Sequence, residues 1–165
     1  ENNFWSVPIF QKIITQKALA HEKPVFIATQ MLESMCYQIS PNRSELNDIA
    51  NSVCDKVDAL TLSGETAIGY FPVESVMMMS EIIHHTEAFL YEKKKQITDI
   101  FKEKPEFKFI INEKENSVLL YNVSIRDIRR ISAQRLNLLI YCISDDINIF
   151  RQSNLYWGII PILNQ

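Results

Sequence analysis

The sequence predicts an α/β fold whose strands run parallel, and three stretches carry that prediction. Residues 23–29 (KPVFIAT) form an apolar run without alternation, which is typical of a strand buried on both faces of a parallel sheet. A helix follows, because apolar residues recur at helical spacing at Leu46, Ile49, Ala50, Val53 and Val57. A second short apolar run at residues 59–62 completes a strand–helix–strand unit, whose crossover is expected to be right-handed.

Helices are predicted on both sides of this unit. Residues 7–22 have apolar positions at helical spacing, namely Val7, Phe10, Ile13, Ile14 and Ala18. The helix inside the unit is expected to begin at Asn42, because Glu45 three residues later completes a capping box. Pro72 precedes a long helix over residues 73–94, a position at which proline is tolerated.

A change of composition indicates a domain boundary near the middle of the chain. Residues 92–105 are charged and poor in apolar side chains, which predicts a linker between a domain at 1–91 and a second one at 106–165. In the second part, strands are predicted at 107–111, 138–143 and 159–163. Helices at 124–134 and 147–155 alternate with them, so we expect a small parallel sheet.

The composition excludes several classes of protein. Hydrophobic residues make up 47% of the chain and charged residues 22%, as in soluble globular proteins. No apolar run has the roughly 18 residues that a membrane helix needs. The net charge of −3 argues against nucleic acid or an anionic membrane as a partner. The cysteines have no C-x-x-C spacing that would suggest zinc, so we expect the reducing cytoplasm. The chain begins at Glu1 rather than methionine, so we expect a piece of a longer one.

Polar residues at the ends of the first two predicted strands are the best candidates for chemistry. Thr29 and Ser63 follow neighbouring parallel strands, and (β/α) barrels keep their functional residues at such carboxyl ends. The Thr29 hydroxyl could bind an oxygen of an anion, or it could cap the backbone. Glu65 is more simply explained as ordering its turn. His84 and His85 are adjacent on a helix, so they cannot both face one ligand. No metal site is predicted.

Four segments around these residues carry a resemblance to a known family. They are residues 28–35 (ATQMLESM), 41–45 (PNRSE), 48–51 (DIAN) and 62–67 (LSGETA). Their order and spacing resemble pyruvate kinase, and the resemblance covers roughly half of the chain. It implies the last part of a (β/α)8 TIM barrel, followed by a partial three-layer α/β carboxyl-terminal domain with a parallel sheet.

The resemblance also implies an activity and roles for residues. The family transfers the phosphoryl group of phosphoenolpyruvate to ADP in glycolysis, giving pyruvate and ATP with the help of Mg²⁺ and K⁺. Thr29 and Ser63 match the substrate-binding motifs. Arg43, Glu45 and Asp48 match the region of the subunit interface, which implies an oligomer of pyruvate kinase subunits.

Two departures from the family limit what this chain does alone. The family's metal ligands and catalytic lysine belong to motifs that precede residue 1, so a complete active site is not expected. The family's effector loop is a Gly/Ser/Thr-rich turn that cradles phosphate, and the resemblance matches it to residues 112–117 (NEKENS). Two carboxylates and no glycine make that stretch a poor phosphate site.

Three hypotheses follow. The chain is part of a longer pyruvate kinase whose catalytic residues lie upstream. Alternatively, it is a truncated, non-catalytic paralogue (a pseudoenzyme) that docks on a full-length pyruvate kinase and stabilises or regulates it. The least favoured hypothesis is a free-standing α/β domain that binds a small molecule, because a barrel needs eight strands to close.

Overall fold

The computed structural model describes residues 3–28, 30–90, 108–112, 116–136 and 138–164. They form two compact units: the first contains residues 3–18 and 25–90, and the second contains residues 19–24 and the described part of 108–164. The predicted linker at 92–105 lies outside the described residues. The predicted domain limits at residues 91 and 106 therefore stay predictions.

The first unit is built on a pair of parallel strands. Strand β1 (Phe26–Ala28) pairs with β2 (Ala59–Thr61), and Ile27 lies opposite Leu60. Helix α2 (Arg43–Cys54) connects them. The predicted strand–helix–strand unit is therefore confirmed, with shorter strands than the apolar runs suggested.

The remaining elements of this unit come before, between and after the paired strands. A short 3-10 turn (Phe4–Ser6) leads into helix α1 (Val7–Ala20), and a second one (Glu33–Cys36) lies between β1 and α2. After β2 come the short helix α3 (Gly64–Ala67) and the long helix α4 (Pro72–Leu90). None of the described helices is long and apolar enough to cross a membrane.

The core of the first unit lies between the loop after β1 and the helices α2 and α4. Its buried side chains are Met31, Leu32, Met35, Ile49 and Met79. Ile27 and Leu60 pack against this cluster from one face of the strand pair. The loop after β1 thus contributes more to this core than the strands do.

The expectation that β1 is buried on both faces is wrong. The opposite face of β1 is open, since Phe26 is 46% exposed and Ala28 is exposed, although burial on both faces was expected. Helix α1 likewise leaves its apolar residues in solvent: Ile14 is 62% exposed, and Thr15 is the helix's buried residue. The physical reason is the same in both places, because the described residues of this unit cover the strand pair from one side only.

Within its described residues, the second unit is a four-stranded sheet with two helices. The strands are β3 (Lys108–Asn112), β4 (Ser117–Tyr121), β5 (Leu139–Ser144) and β6 (Ile159–Leu163), in that spatial order. Helices α5 (Ile125–Ala133) and α6 (Ile147–Ser153) follow β4 and β5. Their apolar residues and one face of the sheet form a single core, whose fully buried members include Val118, Leu120, Ile128, Ile131 and Ile140.

The sheet of this unit is mixed rather than wholly parallel. Strands β4, β5 and β6 are parallel, whereas β3 pairs antiparallel with β4. The apolar run at 107–111 predicts β3 as a parallel strand, and β4 was not predicted. The connecting residues 113–116 (EKEN) include no glycine or proline that would indicate a hairpin. Asn116, a residue that tolerates a left-handed backbone, enters β4 with φ of 52°.

The stretch matched to the family's effector loop, residues 112–117, joins β3 to β4. Asn112 ends β3 and pairs with Ser117, which begins β4. Residues 113–115 lie outside the described residues, so the poor phosphate site expected there stays a prediction. The first parallel strand of this unit, β4, is followed by residues 122–124 before α5 begins.

Candidate functional site

The candidate site lies where β1 and β2 end side by side. Ala28, the last residue of β1, is in register with Thr61, the last residue of β2. Thr29 lies outside the described residues, so its predicted contact with substrate stays a prediction. Ser63 is exposed and directly precedes α3, so its hydroxyl is available at this end of the strand pair.

Glu65 joins the two loops that follow the strands. Its side chain is only 3% exposed. Oxygen Oε1 accepts a hydrogen bond from the Leu32 N–H at 3.0 Å, and Oε2 accepts one from the Ser63 N–H at 2.8 Å. Burial alone would raise the pKa of Glu65, but backbone N–H groups, those of Ser63 and Leu32 among them, outweigh it and hold the pKa below its ordinary value. Glu65 is thus an ionised brace, which agrees with the simpler explanation that it orders the turn.

Glu45 fastens the same loop to helix α2. Its carboxylate accepts hydrogen bonds from the N–H groups of Ser34 and Asn42, each at 2.8 Å, and from the Ser34 hydroxyl. The bond from Asn42 is one half of the predicted capping box, so the predicted helix start is confirmed. Only 8% of Glu45 is exposed, and its oxygens are engaged within the chain.

The other two residues predicted at a subunit interface point outward. Arg43 and Asp48 are both exposed on α2. Nothing in a single chain tests whether they meet a neighbouring subunit, so the interface stays a prediction. Of the three predicted interface residues, Glu45 has a clear role inside its own chain.

Close backbone contacts also join the loop after β1 to the segment that follows α3. The Tyr70 N–H donates to the Cys36 carbonyl at 2.9 Å. Gly69 lies so close that a Cβ there would meet the Glu65 carbonyl oxygen at 2.5 Å and the Cys36 Cα at 3.1 Å. The pKa of the Cys36 thiol is raised by burial, and then by the carboxylates around it, which makes it a packing residue rather than a nucleophile.

An apolar groove runs along each side of the strand pair. Each groove has a volume of about 430 Å³. The first lies beside β1 and is lined by Phe4, Val7, Phe10, Ile14, Phe26 and Ile27. The second lies beside β2 and is lined by Leu60, Leu62, Val76, Met79 and Ile83. Within the described residues β1 and β2 pair only with each other, so each groove accompanies an open strand edge.

The described residues do not hold a metal site. No group of three or more His, Cys, Asp or Glu side chains comes together among residues 3–28, 30–90, 108–112, 116–136 and 138–164. His84 and His85 are exposed on α4, and His85 lies 3.6 Å from Glu81. The chain's own donors in this region therefore do not fit Mg²⁺, since Glu45 and Glu65 are both occupied by backbone N–H groups.

One arginine of α5 makes contacts inside the second unit, and two others are exposed. The Arg129 Nε donates to the Tyr156 hydroxyl at 2.7 Å, and its guanidinium lies 5.9 Å from the centre of that ring. Arg126 and Arg130 are exposed. This arrangement agrees with a structural and solvated helix face.

Sequence reasoning missed the part that Glu45 and Glu65 play in joining loops. The capping box was the only signal for Glu45, and it predicted the bond to Asn42 but not those to Ser34. Leu32 and Glu65 are 33 positions apart in the chain, so no local pattern could pair them.

Comparison with known proteins identifies the family. Residues 1–76 match the barrel domain of pyruvate kinase. Over 96% of its length the chain is 34% identical to a pyruvate kinase of Sporosarcina psychrophila, of which it covers 29%. It is 33% identical to one from Encephalitozoon cuniculi over 92% of its length, covering 33% of that protein. A pyruvate kinase of Thermococcus litoralis is 49% identical over 50% of the chain, which covers 18% of that protein.

The chain thus spans about a third or less of the length of these relatives. The strongest identity is found in the shorter alignment, whereas the longer ones extend through the second unit as well. By these matches and by the motifs around its two parallel strands, the chain belongs to the pyruvate kinase family.

Proposed function

We propose that this chain is the carboxyl-terminal part of a pyruvate kinase unit that transfers the phosphoryl group of phosphoenolpyruvate to ADP in the cytoplasm. In this proposal β1 and β2 are the last two strands of a (β/α)8 barrel. Residues 106–165 are the first part of the family's carboxyl-terminal domain. The observation that carries the proposal is the parallel pair β1–β2, with an open edge and an apolar groove on each side.

The grooves favour completion of a barrel over a free-standing domain. In a (β/α)8 barrel each helix packs against neighbouring strands, and closure leaves no strand edge. Here α1 and α4 each reach past the strand pair and border one groove. Two further parallel strands, one at each edge, would cover Phe26, Val76 and the other exposed apolar residues that line these grooves.

Within the completed barrel, Thr29 and Ser63 bind the substrate. In the sequence Thr29 directly follows β1 and Ser63 follows β2, and in this proposal each hydroxyl donates to a carboxylate or phosphoryl oxygen of phosphoenolpyruvate. Mg²⁺ and K⁺ would be held by groups outside these residues, together with the lysine that the family uses. Arg43 and Asp48 lie at the contact with another pyruvate kinase subunit.

A second candidate is a non-catalytic subunit that docks on a full-length pyruvate kinase and regulates it. It is favoured by the turn between β4 and α5, which we take as the counterpart of the family's effector loop because it follows the first parallel strand of the second unit. There the Asp127 carboxylate accepts hydrogen bonds from the N–H and the hydroxyl of Ser124, so a negative charge already occupies the start of α5. A phosphate would be repelled at this position.

The mass of the native assembly separates the two candidates. The purified assembly is weighed intact, and its chains are weighed again after denaturation. One chain of full pyruvate kinase length means that these residues are part of the enzyme, and the non-catalytic subunit is then ruled out. A chain near 19.2 kDa beside a full-length partner means a mixed oligomer, and the enzyme proposal is then wrong for this chain.

Substitution of the two hydroxyls tests the substrate site in the same assembly. We expect Thr29→Ala and Ser63→Ala each to lower kcat/KM for phosphoenolpyruvate at least about tenfold, because a hydrogen bond to a charged group is lost. Ser40→Ala is the control, since Ser40 is an exposed serine of the same connection between β1 and α2. Values within twofold of the control would remove Thr29 and Ser63 from the substrate site.

A further inference from the structure

The carboxylate of Glu65 makes two hydrogen bonds that belong to different loops. Leu32 lies in the loop after β1, and Ser63 lies in the loop after β2. Each bond uses a different oxygen of the carboxylate. Glu65 therefore joins the two loops at the point where the neighbouring strands end.

The chemistry of this contact requires an ionised carboxylate. Only that group offers two acceptor oxygens without a donor between them. An amide of the same shape would present an NH₂ group to one of the two backbone N–H groups. That N–H would then lose its acceptor in a buried place, which costs more than the bond alone contributes.

The loop after β1 is held from its other side as well. The Glu45 carboxylate accepts hydrogen bonds from the Ser34 and Asn42 N–H groups, and these bonds fix the loop to the start of α2. Leu32, between the two braces, is fully buried in the core. The segment 32–34 thus has its backbone fixed at Leu32 by Glu65 and at Ser34 by Glu45.

We propose that Glu65 is a positioning residue of the substrate site: through the Leu32 and Ser63 N–H groups it fixes the spacing between the loop after β1 and the loop that contains Ser63. This inference rests on the proposed function, because the spacing of the two loops matters for catalysis only if both loops bind the substrate. Glu65 itself does not touch the substrate. It acts through the backbone of Ser63, which carries one of the two hydroxyls, and of Leu32, three positions after Thr29 in the sequence.

Hydrogen exchange provides a test that does not depend on activity. The protein in its native assembly is compared as wild type, Glu65→Gln and Glu33→Gln. Glu33 is the matched control, because it lies in the same loop and loses the same charge but is exposed. We expect the amides of Leu32 and Ser63 to exchange at least about tenfold faster in Glu65→Gln, since a charge-assisted bond is lost.

Steady-state kinetics of the same variants test positioning as opposed to stability. A misplaced pair of hydroxyls weakens substrate binding, so we expect Glu65→Gln to raise KM for phosphoenolpyruvate about tenfold, with a smaller effect on kcat. Glu65→Asp keeps the charge and both acceptors, and we expect it to recover part of that loss. If Glu65→Gln does not fold, Glu65→Asp is compared with Glu33→Gln in both the exchange and the kinetic measurements.

The outcomes separate this inference from the function on which it rests. If the amides of Leu32 and Ser63 exchange in Glu65→Gln within twofold of Glu33→Gln, the brace is refuted. If exchange rises but KM stays within twofold of the control, Glu65 is structural and the positioning role is refuted. If the wild-type assembly does not bind phosphoenolpyruvate, the proposed function fails, while the exchange measurement still decides whether Glu65 joins the loops.

Discussion

Replacing Gly69 by alanine tests the packing beneath the candidate site. The new Cβ would lie 2.5 Å from the Glu65 carbonyl oxygen and 3.1 Å from the Cys36 Cα. Both neighbours are backbone atoms, so neither can rotate away, and one of the two loops has to shift. Overpacking of this kind costs about 1–3 kcal/mol. The lower flexibility of alanine in the unfolded chain returns about 0.4–1 kcal/mol.

Taken at the middle of both ranges, the net destabilisation of Gly69→Ala is about 1.3 kcal/mol. At roughly 4–8 °C per kcal/mol for a unit of this size, the first unit should melt about 5–10 °C lower. Calorimetry of the full protein measures the shift in melting temperature. Hydrogen exchange of peptides from residues 30–90 shows whether the lost stability is located in the first unit. The same exchange data should show faster exchange at Tyr70, whose N–H bonds to Cys36.

The chain's other two glycines provide matched controls. At Gly64 a Cβ would meet only the Cys36 sulfur at 3.5 Å, an ordinary contact, so we expect Gly64→Ala to change the unfolding free energy by less than about 0.5 kcal/mol. At Gly158 the surroundings are open but φ is +72°, so Gly158→Ala should cost about 1 kcal/mol in the second unit. A Gly69→Ala protein as stable as Gly64→Ala would show that the two loops do not approach as described.

Three further measurements address single residues. Ser124→Ala removes the cap of α5 and should lower the unfolding free energy of the second unit by about 1 kcal/mol; an unchanged denaturation midpoint would exclude the cap. The folded pKa of Glu65 is depressed, so its contribution is present above the unfolded value of about 4.3 and is lost as pH falls through the folded pKa. The free energy of unfolding of Glu65→Gln should therefore be lower than that of the wild type at neutral pH and should depend less on pH below about 4.3. If the unfolding free energies of the two proteins follow parallel curves against pH, the depressed pKa of Glu65 is contradicted. A maleimide should label Cys54 alone in the native protein, because Cys54 is exposed whereas Cys36 and Cys142 are buried. The pKa values of both buried thiols are also raised, that of Cys142 to about 12, so few of them are thiolates at neutral pH. Three labels per chain in the mass spectrum would refute this prediction.

The parts of the fold that follow from local patterns were predicted well. The strand–helix–strand unit, the start of α2 at its capping box and the long helix after Pro72 all rest on residues within one or two helical turns of each other. The family was identified from short motifs in the same region. Local spacing is enough for these features because the interactions that cause them are local as well.

Burial was predicted less well. The apolar residues of β1 were expected to be covered on both faces, and Phe26 is exposed instead. An apolar pattern shows which side chains share a face, whereas burial depends on which other elements pack against that face. In the proposed barrel, the neighbouring strands would lie along the two grooves beside the strand pair.

By itself the sequence determined the order of helices and strands, the family and the two strand ends at which its motifs meet. Only the tertiary structure decided that β3 turns back antiparallel on β4, and that Glu45 and Glu65 direct their carboxylates at the backbone of one loop. The reason is physical. A hydrogen bond between Glu65 and Leu32, 33 residues apart, depends on where the whole chain brings them, and no local spacing records that.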